Sequence, residues 1–175
     1  MTSQAWQDND LVQTGNLENG EWHQLDTTFD VLNTATGEIV AKVAKAGKLE
    51  TEQAIAAATR AFPLWRAKTA KARSELLYRW YQLIIEHKSW LAKLMTIEQG
   101  KPLKEAEGEV DDAASFIQWF AEPGKRATGA IIPPANPGSR SLATRAPIGG
   151  GAPITRGHYP MQRPHRTVGP ASAAR

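Results

Sequence analysis

Apolar positions along this chain change rhythm twice. Residues 1–26 are polar and show little periodicity, so they read as a leader. Between Thr28 and Val43 the apolar residues alternate with polar ones. They flank the turn-forming run Asn33-Thr34-Ala35-Thr36-Gly37, and this pattern predicts a β-hairpin. A two-stranded hairpin is not stable by itself and must pack on something else. The rhythm then lengthens to that of helices. Residues 52–65 are Ala-rich, with Ile55, Ala58 and Phe62 on one face and Pro63 where the helix is expected to end. Residues 70–87 place Leu77, Trp80, Tyr81, Ile84 and Ile85 at the spacing of an amphipathic stripe. A third helix capped by Ser89 carries Leu91, Leu94, Met95 and Ile97 and stops at Gly100 and Pro102. A fourth, over 103–122, aligns Ala106, Val110, Ala113, Ile117 and Phe120.

Past residue 122 the periodicity fades. Ile131-Ile132 followed by Pro133-Pro134 reads as a strand end and a turn. Gly149-Gly150-Gly151-Ala152-Pro153 breaks any helix or central strand, and no element is predicted from Arg156 onward. Composition sharpens the division. Up to Glu122 there are 13 basic and 18 acidic residues, whereas residues 123–175 hold 8 basic residues and no acidic one. The same stretch contains 9 of the 11 prolines. A tail of this kind is expected to be poorly ordered.

The reactive inventory is thin. The absence of cysteine removes disulfides, thiolate metal sites and thiol nucleophiles together. There is no apolar run of membrane-spanning length and no secretory leader, so the expectation is a cytoplasmic protein without a membrane partner. His158 and His165 have no carboxylate or thiol near them in sequence, which argues against a metal site. The triple glycine does not continue into a phosphate-loop pattern, and Pro153 follows where a helix would be needed. Glu105, Glu107, Glu109, Asp111 and Asp112 read as a solvated helical face. Trp65, Trp80, Trp90 and Trp119 read as packing residues.

The specific signal is a series of short blocks in order. They are Asn19-Gly20-Glu21-Trp22, Asn33-Thr34-Ala35-Thr36-Gly37-Glu38, Phe62-Pro63-Leu64-Trp65-Arg66, Glu98-Gln99-Gly100-Lys101-Pro102, and FIQWFAEPGKR over 116–126. Together they resemble the amino-terminal part of the aldehyde dehydrogenase superfamily, in its NAD(P)+-dependent succinate-semialdehyde branch. The resemblance implies an α/β parent fold. In this chain that means a mainly helical fragment with a β-hairpin and the incomplete start of a Rossmann-like cofactor domain. It also divides the chain into a leader at 1–26, the amino-terminal part of the dehydrogenase domain at 27–148, and a degraded start of the NAD(P)-binding core at 149–175.

In that family a cysteine thiolate attacks the aldehyde, hydride passes to NAD(P)+, and a glutamate-activated water releases the acid. The cysteine and the glutamate lie far downstream in the family. The resemblance therefore implies a truncated chain, inactive alone, whose parent oxidises succinate semialdehyde to succinate as a homo-oligomer. The family's oxyanion-binding asparagine corresponds to His158, and its preceding tryptophan to Gly157. Arg166 falls on the arginine that grips the substrate's distal carboxylate, a task suited to a guanidinium's paired donors. No cofactor-binding residue is assigned. The alternative reading is a non-catalytic fragment that pairs with full-length dehydrogenase subunits. A nucleic-acid arm, suggested only by the basic tail, ranks last.

Overall fold

The computed structural model describes residues 11–174. The chain divides into two compact units. Among the described residues, one is formed by 11–62 and 89–107, the other by 63–88 and 108–174. This division does not follow the composition change near residue 123, because segments distant in sequence share each unit.

In the first unit, strands β1 (Asn16–Glu18) and β2 (Glu21–His23) pair antiparallel around the two-residue turn Asn19-Gly20. Both turn residues have positive φ, 50° and 86°, as the tight hairpin turn requires. The sequence reading had no element here; residues 16–23 of the expected leader are a hairpin, and residues 1–10 lie outside the described part. Strands β3 (Thr28–Leu32) and β4 (Ile39–Ala44) form the expected hairpin, with a register shift at Val31/Leu32. The Asn33 side chain closes the turn by accepting from the Ala35 amide at 2.9 Å.

Helix α1 (Lys48–Arg66) begins four residues earlier than predicted. The Glu50 carboxylate accepts from the Gly47 amide at 2.7 Å, and that bond holds its pKa below the usual value. At the other end α1 runs past Pro63, which costs one amide donor without stopping the helix. Its buried residue is Ala57, while Ile55 of the predicted face is exposed. Helix α3 (Lys88–Gln99) buries Ala92 and Met95. With Val40, Ala44, Ala57 and Ala106 they are the buried apolar residues of this unit among the described ones.

The second unit is built around helix α2 (Ala70–Glu86) and most of helix α4 (Leu103–Ala121). Thr69 caps α2, its side chain accepting from the Ala72 amide at 3.2 Å. The α4 stripe is buried as expected at Val110, Ala113 and Ile117, joined by Ala114 and Ala121. Trp119 departs from the packing role predicted for it. It lies on the opposite side of α4 from Ile117 and is 70% exposed. A short 3-10 turn (Pro123–Arg126) follows, then strands β5 (Ala130–Ile132) and β6 (Ser141–Ala143), paired antiparallel. Residues 144–156 belong to no helix or strand.

The largest correction concerns the end of the chain. Residues expected to be poorly ordered form helix α5 (Gln162–Ala174), packed on α2 and on the 3-10 turn. Local sequence opposes this helix, since Gly169 and Pro170 lie inside it. Tertiary anchors, which no local pattern records, hold it in place.

Candidate functional site

Helix α5 carries or adjoins the residues singled out from sequence, so what fixes it fixes them. At its start, one oxygen of the Glu109 carboxylate accepts from the amides of Met161 at 2.9 Å and Gln162 at 3.2 Å. A carboxylate suits this place because the first amides of a helix lack partners and carry partial positive charge. The Gln162 side chain reaches Asp112 on the same helix α4, at 3.2 Å. Pro164 lies in the first turn, where a missing amide costs no helical bond. At the far end, the Trp65 indole donates to the Ser172 carbonyl at 3.2 Å and Arg73 Nε donates to the Ala173 carbonyl at 3.2 Å. Arg73 is 3% exposed and also donates to the Lys68 carbonyl. Carboxylate at the amino end and guanidinium at the carboxyl end both complement the helix dipole.

Gly169 allows the close approach in the middle. A Cβ there would sit 3.2 Å from Ile117 Cδ1. On the α2 side, the His165 ring lies 5.0 Å from the Trp80 ring, and its Nδ1–H donates to the Met161 carbonyl at 2.6 Å. Burial pushes the His165 pKa below its ordinary value, with the Met161 bond opposing.

His158 is exposed in the turn just before α5, its ring edge-on to Tyr159 with centroids 4.2 Å apart. Tyr159 has a φ of 59°, a left-handed conformation that costs a non-glycine residue energy. Arg166 is exposed on α5, its guanidinium 5.8 Å from the Phe116 ring centroid. Phe116 also lines an open groove with Tyr78, Trp119, Phe120 and Arg126. The structure thus puts His158 and Arg166 on one short segment backed by α4. Gly149, Gly150 and Gly151 are exposed, and a Cβ on any of them would meet nothing within 4 Å.

Sequence reasoning missed Glu109. Assigned to a solvated face, it is 3% exposed. The available signal was its position three residues after Ala106 and four before Ala113, on the apolar side of α4.

A dinucleotide fits these described residues poorly. Such cofactors lie across parallel strands with their phosphates at a helix amino terminus. Every strand pair among the described residues is antiparallel, and the amino terminus of α5 already holds the Glu109 carboxylate. Among the described residues no cluster of three or more His, Cys, Asp or Glu could hold a metal, and no helix is long and apolar enough to cross a membrane.

The sequence pattern of the Aldehyde dehydrogenase family matches residues 22–175. The chain belongs to the aldehyde dehydrogenase family. It is 51% identical over 158 residues to a glutarate-semialdehyde dehydrogenase of Pseudomonas putida, covering 89% of this chain and 33% of that protein. An NADP(+) succinate-semialdehyde dehydrogenase of Escherichia coli is 47% identical over 169 residues, covering 95% of this chain and 35% of the relative. The crystal structure of succinate-semialdehyde dehydrogenase from Burkholderia pseudomallei superposes with a TM-score of 0.93 at 46% identity, over 95% of this chain and 35% of that one. The chain therefore spans about a third of the length of these aldehyde dehydrogenases.

Proposed function

We propose that these residues serve an NAD(P)+-dependent semialdehyde dehydrogenase that oxidises succinate semialdehyde to succinate. The observation that carries this reading is an exposed guanidinium, Arg166, set on a helix anchored at both ends in a chain of this family. In this reading Arg166 pairs with the carboxylate at the far end of the substrate, and its paired donors select a planar anion. His158 stands where the family's oxyanion donor is expected. An imidazole N–H can supply one hydrogen bond there, with reach and geometry different from an amide's. Residues 149–175 correspond in this reading to the beginning of the cofactor-binding core. The rest of that core and the thiolate lie outside these 175 residues, which contain no cysteine.

The 175-residue chain alone is then expected to show no reduction of NAD+ or NADP+ with succinate semialdehyde above a no-protein blank. Robust turnover by the pure chain would overturn this. Fused in frame to the remaining two thirds of a succinate-semialdehyde dehydrogenase, it should support turnover that Arg166→Ala weakens mainly through KM.

A second reading is favoured by the β5–β6 pair, where the cross-strand partners Ile131 and Leu142 are 82% and 72% exposed. Here the chain is a non-catalytic fragment pairing with full-length dehydrogenase subunits. Co-purification with such a subunit would support it, and a strictly monomeric, partner-free chain would count against it.

A further inference from the structure

We propose that Glu109 is a positioning residue whose buried carboxylate sets the turn at residues 157–160 and, through it, the placement of His158. Two separate observations converge on that turn. The first is the carboxylate itself, almost fully buried on α4 yet bonded to two consecutive amides, those of Met161 and Gln162. A charge in such surroundings must be compensated, and the start of α5 contributes that compensation. The helix start is placed in turn by the carboxylate. The second observation is strain just upstream. Tyr159 holds its left-handed φ of 59° immediately before Pro160, and conformations of this kind persist only where the surroundings impose them.

The geometry links the two. The Tyr159 carbonyl accepts from the Arg163 amide at 3.2 Å, closing the first turn of α5 directly over the amides that Glu109 holds. The His158 ring meets the Tyr159 ring edge-on. Moving the helix start would therefore move Tyr159, and His158 with it. Asp112 adds a weaker restraint through the Gln162 side chain, at an exposed position. In the dehydrogenase reading, on which the functional meaning of His158 rests, Glu109 acts through the backbone of 159–162.

The test is nuclear magnetic resonance on the full 175-residue chain, comparing wild type with Glu109→Gln and Glu109→Ala. In Glu109→Ala, amide hydrogen exchange at Met161 and Gln162 should accelerate about tenfold or more, as expected for lost bonds to a charged acceptor. Exchange at Leu77 and Ile117 should accelerate less than at those two amides, because core amides respond only through the overall loss of stability. The His158 ring-proton shifts should move toward those of the exposed His23 as the edge-on contact with Tyr159 is lost. Glu109→Gln keeps an acceptor oxygen and should restore part of both effects. If Glu109→Ala does not fold, Glu109→Gln carries the test through its intermediate change at Met161 and Gln162. Unchanged exchange at those two amides would overturn the proposal. So would equal acceleration at Leu77 and Ile117, which marks a merely structural role, or an unmoved His158 signal. No measurement here uses aldehyde or nucleotide, so failure of the dehydrogenase reading would appear in the turnover assay and not in these spectra.

Discussion

Arg73 and Glu109 carry opposite charges in the second unit, and each is 3% exposed. Side chains of this kind stay buried only when their donors or acceptors are met, and here backbone groups at the two ends of α5 help to meet them. Replacing Arg73 with Met keeps the apolar stem and removes the donors to the Ala173 and Lys68 carbonyls. Urea denaturation should show a loss of about 2 to 3 kcal/mol. Ile117 is fully buried, and Ile117→Ala should cost about 2 to 4 kcal/mol in the same assay. His165 gives a pH signature. Its folded pKa lies below the ordinary 6.5, so the unfolded chain takes the proton first. The stability it contributes is complete above about pH 6.5 and is lost as pH falls toward the lowered folded value. Unfolding free energy should drop between pH 7.5 and 5.5, and His165→Gln should flatten that slope. At this scale little was legible beforehand. The buried state of Glu109 depends on amides 52 residues away, and that of Arg73 on a carbonyl 100 residues away.

Elements were legible where local pattern and tertiary demand agree. The hairpin β3–β4 and helices α2, α3 and α4 follow their apolar spacing, burying Val40, Leu77, Ile84, Met95, Val110 and Ile117, although Phe29 and Ile85 of the same patterns are exposed. Helix α5 was not legible, since Gly169 and Pro170 speak against a helix that Glu109, Trp65 and Arg73 hold from outside. The β1–β2 hairpin was missed for a different reason. Its strands are three residues each, too short to show alternation, although Asn19-Gly20 is the strongest short hairpin signal. That turn yields its own prediction. A side chain at Gly20 would meet nothing within 4 Å, so only its φ of 86° resists substitution. Gly20→Ala should cost about 1 kcal/mol and weaken amide protection across Asn16–His23 without disturbing β3–β4.

Across the whole molecule, the exposed large apolar side chains matter more than any single bond. Ile131, Leu142, Ile148 and Ile154 all lie in the β5–β6 pair or the extended stretch after it, and each is more than 70% exposed. Concentrations of apolar surface of this kind mark interaction sites or aggregation liabilities. Changing Ile131 and Leu142 together to Thr should leave unfolding free energy within about 0.5 kcal/mol. It should also reduce concentration-dependent light scattering by the purified chain; unchanged scattering would show that another surface drives association.

The clamps on α5 also impose an order in time. The Trp65 bond to Ser172 and the Arg73 bond to Ala173 join residues 107 and 100 positions apart. Closing so long a loop costs chain entropy before any contact repays it, so such pairings form late and slowly. During synthesis, which runs from the amino terminus, α2 and α4 are made well before α5 exists. Arg73 and Glu109 are therefore made well before residues 161–174, whose backbone groups they hold in the folded chain.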